Sequence, residues 1–211
     1  KTGSPMYEVL KHFEQEIARS SVLTDLGLQA QNYFVVSAHR EENVDHPQKL
    51  LRLLNAINNM ARSYDCPVIF SVHPRTRARM EQLDGLKVDE RVSLLPPFGF
   101  FEYIHLQSNA LCVMSDSGTI TEESSILGFP AITLREAHER PEGMDEGVLI
   151  MTGLDPENVA MCVDIVLRQH TQREPFSDVV GDYLAPDVSG QVVKLIASYT
   201  HFVNQRVWHK S

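Results

Sequence analysis

The chain has 211 residues, 43% of them hydrophobic and 22% charged, which is the ordinary composition of a globular protein with a good-sized core. Its formal net charge of −9 argues against a nucleic-acid backbone as the main partner. No apolar run approaches membrane-spanning length, and the first residues lack the pattern of a signal peptide.

The predicted elements alternate between helix and strand along the chain. The opening "KTGSP" has no initiator Met and predicts a turn into a helix, with Ser4 as its cap and Pro5 at the first helical position. We therefore expect the chain to be part of a longer protein. Amphipathic periodicity predicts helices over residues 6–20, 47–63, 76–83, 100–108, 120–127, 156–170 and 190–205. Short apolar runs predict strands over residues 33–38, 67–72, 92–95, 111–114, 131–134 and 148–151, and residues 175–186 form an irregular connection.

Short apolar strands between helices indicate parallel βαβ units whose sheet is buried on both faces. The predicted fold class is α/β, a Rossmann-like doubly wound parallel sheet. Ligands of such sheets bind beyond the carboxyl ends of the strands. The loops to inspect there are "HREEN", "HPRTR", "PPFGFFEY", "SDSGTITEE" and "REAHERPEGMDEG".

Three isolated cysteines lie in or beside apolar segments, and they are Cys66, Cys112 and Cys162. They indicate buried, reduced thiols of a cytoplasmic protein. No CxxC or His–Cys cluster suggests a metal site.

The turn at Ser117 and Gly118 joins a strand to a helix and suits a phosphate or diphosphate. Backbone N–H groups at the start of a helix are unpaired and lie at the positive end of its dipole. Thr119 and Glu122 also match a capping box, so a plain helix start is the alternative interpretation. The turn is neither a GxGxxG fingerprint nor a P-loop, and neither a dinucleotide cofactor nor a Walker-type ATPase is indicated.

Other loops at the same predicted edge carry histidines and arginines, which can bind phosphate oxygens. These residues are His39, Arg40, His73, Arg75, Arg77, Arg135 and Arg140, whereas Arg79 is predicted on a solvated helix face. Arg40 could instead pair with Glu41 or Glu42 of its own loop. Likewise, Arg135 and Arg140 could pair with Glu136 or Glu139. The convergence of several such loops on one edge favours a phosphate site.

These motifs together resemble the carboxyl-terminal domain of the non-hydrolysing UDP-N-acetylglucosamine 2-epimerase family. The matching segments are "TGSP", "SAHREEN", "SVHPRTR", "SDSGTITEESSILGFPAITLREAHERPEG" and "GVLIMTG", so the resemblance covers almost the whole chain. The long block that begins at Ser115 looks most like a branch that acts in bacterial surface-polysaccharide synthesis (capsule or O-antigen), where some members make UDP-N-acetyl-L-fucosamine.

The resemblance implies that residues 1–211 are the UDP-binding, carboxyl-terminal half of a GT-B fold, whose amino-terminal domain is absent from this sequence. The family reaction eliminates UDP from a UDP-N-acetylhexosamine and adds it back after C2 is protonated on the opposite face. It needs neither a nicotinamide cofactor nor a metal. Such enzymes are usually cytoplasmic homodimers that bind no nucleic acid or membrane. Because the acid/base carboxylates belong to the other domain, this half is expected to bind nucleotide without turnover.

The resemblance also implies roles for individual residues. His39 matches the catalytic-site histidine at the diphosphate, and Arg140 matches the arginine of the "ERPE" motif at the nucleotide site. Glu123 matches the acid that binds the ribose hydroxyls. The turn that binds phosphate through its backbone is Ser117, Gly118 and Thr119. The uracil contacts match Phe98 and Tyr103, where better-known members have Gln and Phe. Arg40 and His73 match residues of an allosteric UDP-N-acetylglucosamine site, although "HPRTR" departs from the usual His-x-Asn-Pro pattern.

Three other functions are consistent with the same residues. A GT-B glycosyltransferase shares the fold and a ribose-binding acid, and a hydrolysing epimerase would release free sugar and UDP. A non-catalytic module could bind a sugar nucleotide as a sensor. The sequence does not identify the sugar.

Overall fold

The computed structural model describes residues 1–83, 85–137, 140–172 and 179–210. Its helices are α1 Met6–His12, α2 Glu14–Ala18, α3 Val22–Asp25, α4 Glu41–Val44, α5 Pro47–Tyr64, α6 Pro74–Met80, α7 Phe100–Ser108, α8 Ile120–Leu127, α9 Glu142–Asp145, α10 Pro156–Gln172 and α11 Val188–Arg206. Its strands are β1 Phe34–Ser37, β2 Val68–Ser71, β3 Val92–Leu95, β4 Cys112–Ser115, β5 Ala131–Thr133 and β6 Ile150–Met151. Within the predicted irregular connection, Gly181–Leu184 forms a 3₁₀ turn and residues 175–178 lie outside the described part.

The described strands form one parallel sheet in the order β3-β2-β1-β4-β5-β6. The chain runs outward from β1 to β3, returns to pair β4 with β1, and continues outward on the other side. The order therefore reverses between β1 and β4, and the crevice above such a switch point is where doubly wound sheets bind ligands.

Both faces of the sheet are covered, because alternate residues of each strand point to opposite sides. Phe34 and Val36 of β1 pack in a core with side chains of α5 and α10, such as Leu54. Tyr33 and Val35 pack in a second core with side chains of α3, α7 and α8. This double burial explains why the strands are continuous apolar runs rather than alternating ones.

The structure corrects some predicted boundaries at the amino-terminal end. The single helix predicted over residues 6–20 is divided at Phe13, which has non-helical φ and ψ of −102° and 17° and whose ring packs 5.1 Å from that of Phe101. Pro5 is the N-cap of α1 rather than its first helical residue, and Ser4 Oγ accepts a hydrogen bond of 3.1 Å from the backbone of Met6. The predicted "HREEN" loop contains the short helix α4.

The last helix, α11, is largely exposed and carries an apolar surface. Its exposed large side chains include Val193, Leu195, Ile196, Tyr199 and Phe202. Within the described ranges, no helix combines the length and the apolar character needed to cross a bilayer. The three cysteines are buried free thiols, as predicted.

Candidate functional site

The candidate site lies where β1 and β4 end side by side. Ser37 of β1 is in register with Ser115 of β4 on one side and with Ser71 of β2 on the other. His39 and Ser117 therefore each follow their strand end by two residues, on either side of the switch point. The structure brings together the two loops that the sequence singled out first.

In the turn before α8, the backbone N–H of Ser117 donates to Ser115 Oγ at 3.1 Å, and other hydroxyl contacts lie within the turn itself. Ser117 Oγ and Thr119 Oγ1 are 2.9 Å apart, and Ser117 Oγ also accepts a hydrogen bond of 3.3 Å from the backbone of Thr119. Thr119 is the N-cap residue of α8, yet its side chain makes no capping hydrogen bond. No side-chain cap therefore competes with an anion for the positive end of this helix.

The predicted capping box between Thr119 and Glu122 is wrong. Glu122 is only 5% exposed, and its Oε1 accepts a hydrogen bond of 2.6 Å from the guanidinium of Arg140. A charge-assisted bond to a guanidinium is stronger than one to a neutral backbone N–H, so the carboxylate turns to the arginine. Arg140 is thereby fixed beside the turn, and it lines a small cavity together with Ser117 and Gly118.

A fully buried carboxylate, Asp116, organises the loop that carries His39. Its carboxylate oxygens accept hydrogen bonds from the backbone of His39 at 3.1 Å and of Arg40 at 2.9 Å. The Asn43 side-chain amide donates to Asp116 at 3.0 Å and to the carbonyl of Leu134 at 2.9 Å. These bonds tie together the loops after β1, β4 and β5.

The imidazole of His39 faces this carboxylate. Its Nδ1 lies 3.5 Å from Asp116 Oδ1, and about half of the side chain, 47%, is exposed. The ring of His73 lies 6.3 Å from that of His39 between centroids. The side chain of Arg40 is turned toward Asp116, because its Nε donates to the Asp116 carbonyl at 3.0 Å.

The two arginines of "HPRTR", predicted as phosphate-compatible groups at this edge, make their described contacts with other protein groups. Arg75 pairs with the carboxylates of Asp45 and Glu41, the latter at 2.6 Å. Arg77 donates to the carbonyl of Leu94 at 3.2 Å. Arg79, predicted on a solvated face, bonds to Asp45 at 3.2 Å and is partly buried. Acidic groups of α4 and of its C-cap residue are thus the described partners of Arg75 and Arg79.

Glu123 is a second buried carboxylate, and its partner was not predicted. It is 6% exposed, and its Oε2 accepts a hydrogen bond of 2.9 Å from the side-chain amide of Gln107 in α7. Burial raises the pKa of the Glu123 carboxyl above its ordinary value, outweighing the hydrogen bonds from Gln107 and Thr119, which lower it. The acid is therefore fixed in place but carries an unfavourable charge.

Of the two predicted uracil contacts, one lies in α7 and the other just before it. Phe98 and Tyr103 are half-buried and pack against the core formed with α7 and α8. The hydroxyl of Tyr103 is buried, and among the described residues it makes no hydrogen bond of regular geometry, although Ser37 and Gln107 lie near enough to lower its pKa. Burial, and next the charge of Glu123, raise the pKa of the Tyr103 hydroxyl far above its ordinary value.

Arg135 follows β5, as predicted, but it is buried at 6% exposure with its Nε 3.5 Å from Glu42. Sequence reasoning missed three site residues, which are Asp116, Asn43 and Gln107. Asp116 and Asn43 stand inside the quoted motifs, but they are 73 positions apart and nothing in one sequence links them. In the described part of the chain, no three His, Cys, Asp or Glu residues are placed to hold a metal ion.

Comparison with known proteins identifies the family to which the chain belongs. The family model described as UDP-N-acetylglucosamine 2-epimerase matches residues 1–197. A UDP-N-acetylglucosamine 2-epimerase of Methanococcus maripaludis is 36% identical over 152 residues, which are 70% of this chain and 42% of the relative. The chain thus spans less than half the length of that relative.

Two solved structures have the same fold. A UDP-N-acetylglucosamine 2-epimerase from Rickettsia bellii matches with a TM-score of 0.88 and 42% identity, over 100% of this chain and 56% of the other. The Methanocaldococcus jannaschii enzyme, in complex with UDP-GlcNAc and UDP, matches with a TM-score of 0.79 and 28% identity, over 92% of this chain and 54% of the other. These matches confirm the predicted fold class, a Rossmann-like doubly wound sheet of the GT-B type. By sequence and by fold, the chain belongs to the UDP-N-acetylglucosamine 2-epimerase family.

Proposed function

We propose that this chain is the UDP-binding, carboxyl-terminal half of an enzyme that inverts C2 of a UDP-N-acetylhexosamine. The observation that carries the proposal is the convergence of His39 and the uncapped start of α8 at the β1–β4 switch point, with Glu123 in the same helix. That set supplies donors for a diphosphate and an acceptor for a ribose. The complex of the M. jannaschii relative with UDP-GlcNAc and UDP supports the same ligand class.

In the proposed complex, the diphosphate lies on the Ser117–Thr119 turn. Backbone N–H groups at the start of α8 donate to the phosphate oxygens, and the helix dipole favours their charge. His39, and Arg140 from the opposite side, add charge-assisted hydrogen bonds. Glu123 accepts hydrogen bonds from the ribose hydroxyls, a task for which a carboxylate has several lone pairs.

The proposed reaction is the elimination of UDP to a 2-acetamidoglycal and its re-addition after C2 is protonated on the other face. The residues of this chain hold the leaving diphosphate in place and stabilise its charge. The carboxylates that move the C2 proton belong to the amino-terminal half in this proposal. The chain alone is therefore expected to bind UDP without turnover, and neither a metal nor a nicotinamide is required.

Isothermal calorimetry with UDP tests the binding half of the proposal. We expect saturable binding by the folded chain, and a folded chain with no heat of binding at millimolar UDP would refute it. Glu123→Ala should weaken UDP more than 2′-deoxy-UDP, because only UDP presents the complete ribose diol. Glu157→Ala, which removes an exposed acid from the first turn of α10, is the matched control and should leave both affinities unchanged.

The chemical half of the proposal requires a protein that contains both domains. In D₂O, such a protein should interconvert the C2 epimers of a UDP-N-acetylhexosamine and introduce one deuterium at C2 of the product. Accumulation of free sugar and UDP would indicate a hydrolysing enzyme instead. Transfer of the sugar to an acceptor without epimerisation would indicate a glycosyltransferase.

A further inference from the structure

The hydrogen-bond partners of Asp116 are not explained by anion binding alone. The side chain is fully buried, with 0% exposure, immediately before the turn proposed to bind the diphosphate. Its oxygens accept from the backbone of His39 and of Arg40 and from the amide of Asn43, at 2.9–3.1 Å. A buried carboxylate is costly unless several donors satisfy it, and here most of the donors come from the loop after β1.

Asn43 reinforces the same arrangement. Its amide nitrogen donates both to Asp116 Oδ2 at 3.0 Å and to the carbonyl of Leu134 at 2.9 Å. The side chain is 1% exposed, so both bonds form in a region shielded from water. Asn43 thus fixes the carboxylate against the end of β5, while the backbone of Asp116 donates to the Ser37 carbonyl at 3.1 Å at the end of β1.

The carboxylate also constrains the histidine ring. Asp116 Oδ1 lies 3.5 Å from His39 Nδ1, while the backbone N–H of His39 bonds to the same carboxylate at 3.1 Å. An ionised carboxylate only accepts hydrogen bonds, so the nitrogen that faces it is stabilised when it carries the proton. A carboxylate facing one ring nitrogen thereby also influences which state the other nitrogen adopts.

We propose that Asp116, supported by Asn43, is a positioning residue that holds His39 with its proton on Nδ1 and leaves Nε2 for the ligand. Nε2 is then the nitrogen that meets the diphosphate. It donates to the diphosphate only when the ring carries a second proton, and Asp116 balances the positive charge of that doubly protonated ring. The ring of His73 also lies near that of His39, with 6.3 Å between the two centroids. The ligand part of this inference rests on the proposed function, whereas the orientation of the ring does not.

The tautomer of His39 can be measured directly on the unliganded chain. Long-range ¹H–¹⁵N correlation NMR at about pH 9, where an ordinary imidazole is neutral, distinguishes a protonated Nδ1 from a protonated Nε2. We expect Nδ1–H in the wild-type chain and a shift toward Nε2–H in a folded Asp116→Asn variant. Nε2–H in the wild type would overturn the proposal, even if the variant failed to fold.

UDP affinity supplies the second measurement. The Asp116→Asn variant should bind UDP about 10-fold more weakly, or about 1.4 kcal/mol, with retained circular dichroism. The matched control is Asp155→Asn, which makes the same chemical change at an exposed residue that accepts from the backbone of Asn158 at 3.0 Å. It should bind UDP like the wild type.

The outcomes separate this inference from the proposed function. A wild-type chain with Nδ1–H that does not bind UDP would refute the proposed function and leave the ring orientation standing. A folded Asp116→Asn variant with an unchanged tautomer, or with unchanged UDP affinity, would refute the positioning role.

Discussion

Replacing Glu123 by Gln should stabilise the fold at neutral pH and weaken UDP binding. The carboxylate is 6% exposed, and its side-chain hydrogen bonds come from neutral groups, the hydroxyl of Thr119 and, at 2.9 Å, the amide of Gln107. The variant removes the charge, and its side-chain oxygen can still accept the bond from Gln107. Because a buried and poorly satisfied polar group costs about 1–3 kcal/mol or more, we expect a gain of about 1 kcal/mol. For a chain of this size, the melting temperature should rise by about 2–4 °C.

The gain in stability should depend on pH. Because burial raises the pKa of Glu123 in the folded state, the folded wild type binds a proton more tightly than the unfolded chain does. That contribution to stability is complete below the ordinary value of 4.5 and is lost as the pH rises through the raised folded value. The advantage of Glu123→Gln should therefore be absent near pH 4 and grow toward pH 7 and above.

The loss of affinity follows from the proposed ribose contacts. A hydrogen bond to a charged group contributes about 1.5–3 kcal/mol, and one between neutral groups about 0.5–1.5 kcal/mol. Losing about 1 kcal/mol for each of two ribose hydroxyls gives about 2 kcal/mol, or about 30-fold in the dissociation constant.

Urea denaturation at several pH values and calorimetry with UDP measure the two effects. The control is Glu122→Gln, which should destabilise the chain, because the neighbouring carboxylate has a cationic partner in Arg140 at 2.6 Å. If Glu123→Gln lowered stability at pH 7, or if its effect did not change with pH, the charge of the buried Glu123 carboxylate would not be destabilising. Unchanged UDP affinity would refute the ribose assignment alone.

Three further predictions concern packing and ion pairing. A Cβ at Gly143 would lie 2.0 Å from Thr121 Cγ2, so Gly143→Ala should cost about 1–3 kcal/mol of stability in urea denaturation. Thr121→Ser removes the clashing methyl group and should restore part of that loss. If the double mutant is no more stable than Gly143→Ala, this clash is not the cause. Arg140→Ala leaves the buried Glu122 without its guanidinium and should destabilise the chain by about 1–3 kcal/mol in urea denaturation. The loss should shrink in a Glu122→Gln background, and an equal loss in both backgrounds would contradict this explanation. Ile57→Ala in α5, at a side chain 1% exposed, should cost about 2–5 kcal/mol with UDP affinity retained, and a loss under 1 kcal/mol would show that this core is loosely packed.

The fold was largely predictable from the sequence, because its signals are local. Val92–Leu95, Phe100–Ser108 and Ile120–Leu127 have the predicted boundaries. Continuous apolar strands between amphipathic helices permit few arrangements other than a parallel sheet covered on both sides. The helix α4 was missed because it is a single turn of four residues, too short for a periodic pattern.

The site was predictable only where one loop contained the necessary residues. The placement of the His39 and Ser117 loops at one edge of the sheet followed from the predicted parallel strands. The partners of the charged groups could not be predicted, because they are distant in the sequence and come together only in the folded chain. Glu122 pairs with Arg140, 18 positions away, rather than with its own helix start, and Arg75 pairs with Asp45, 30 positions away. A sequence motif does not show which of several distant charged groups a residue will pair with.

Because the start of α8 has no side-chain cap, we expect the proposed ligand to stabilise this helix when it binds. Thr119 makes no side-chain cap, so the first turn lacks a stabilisation of about 1 kcal/mol that a capping side chain commonly provides. On the proposed function, the diphosphate supplies this cap when it binds. The amides of Ile120 and Thr121 should then exchange with solvent faster than the rest of α8 in the free chain and slow down selectively with UDP. Hydrogen exchange at one helical turn would thus report occupancy of the site without any catalytic assay.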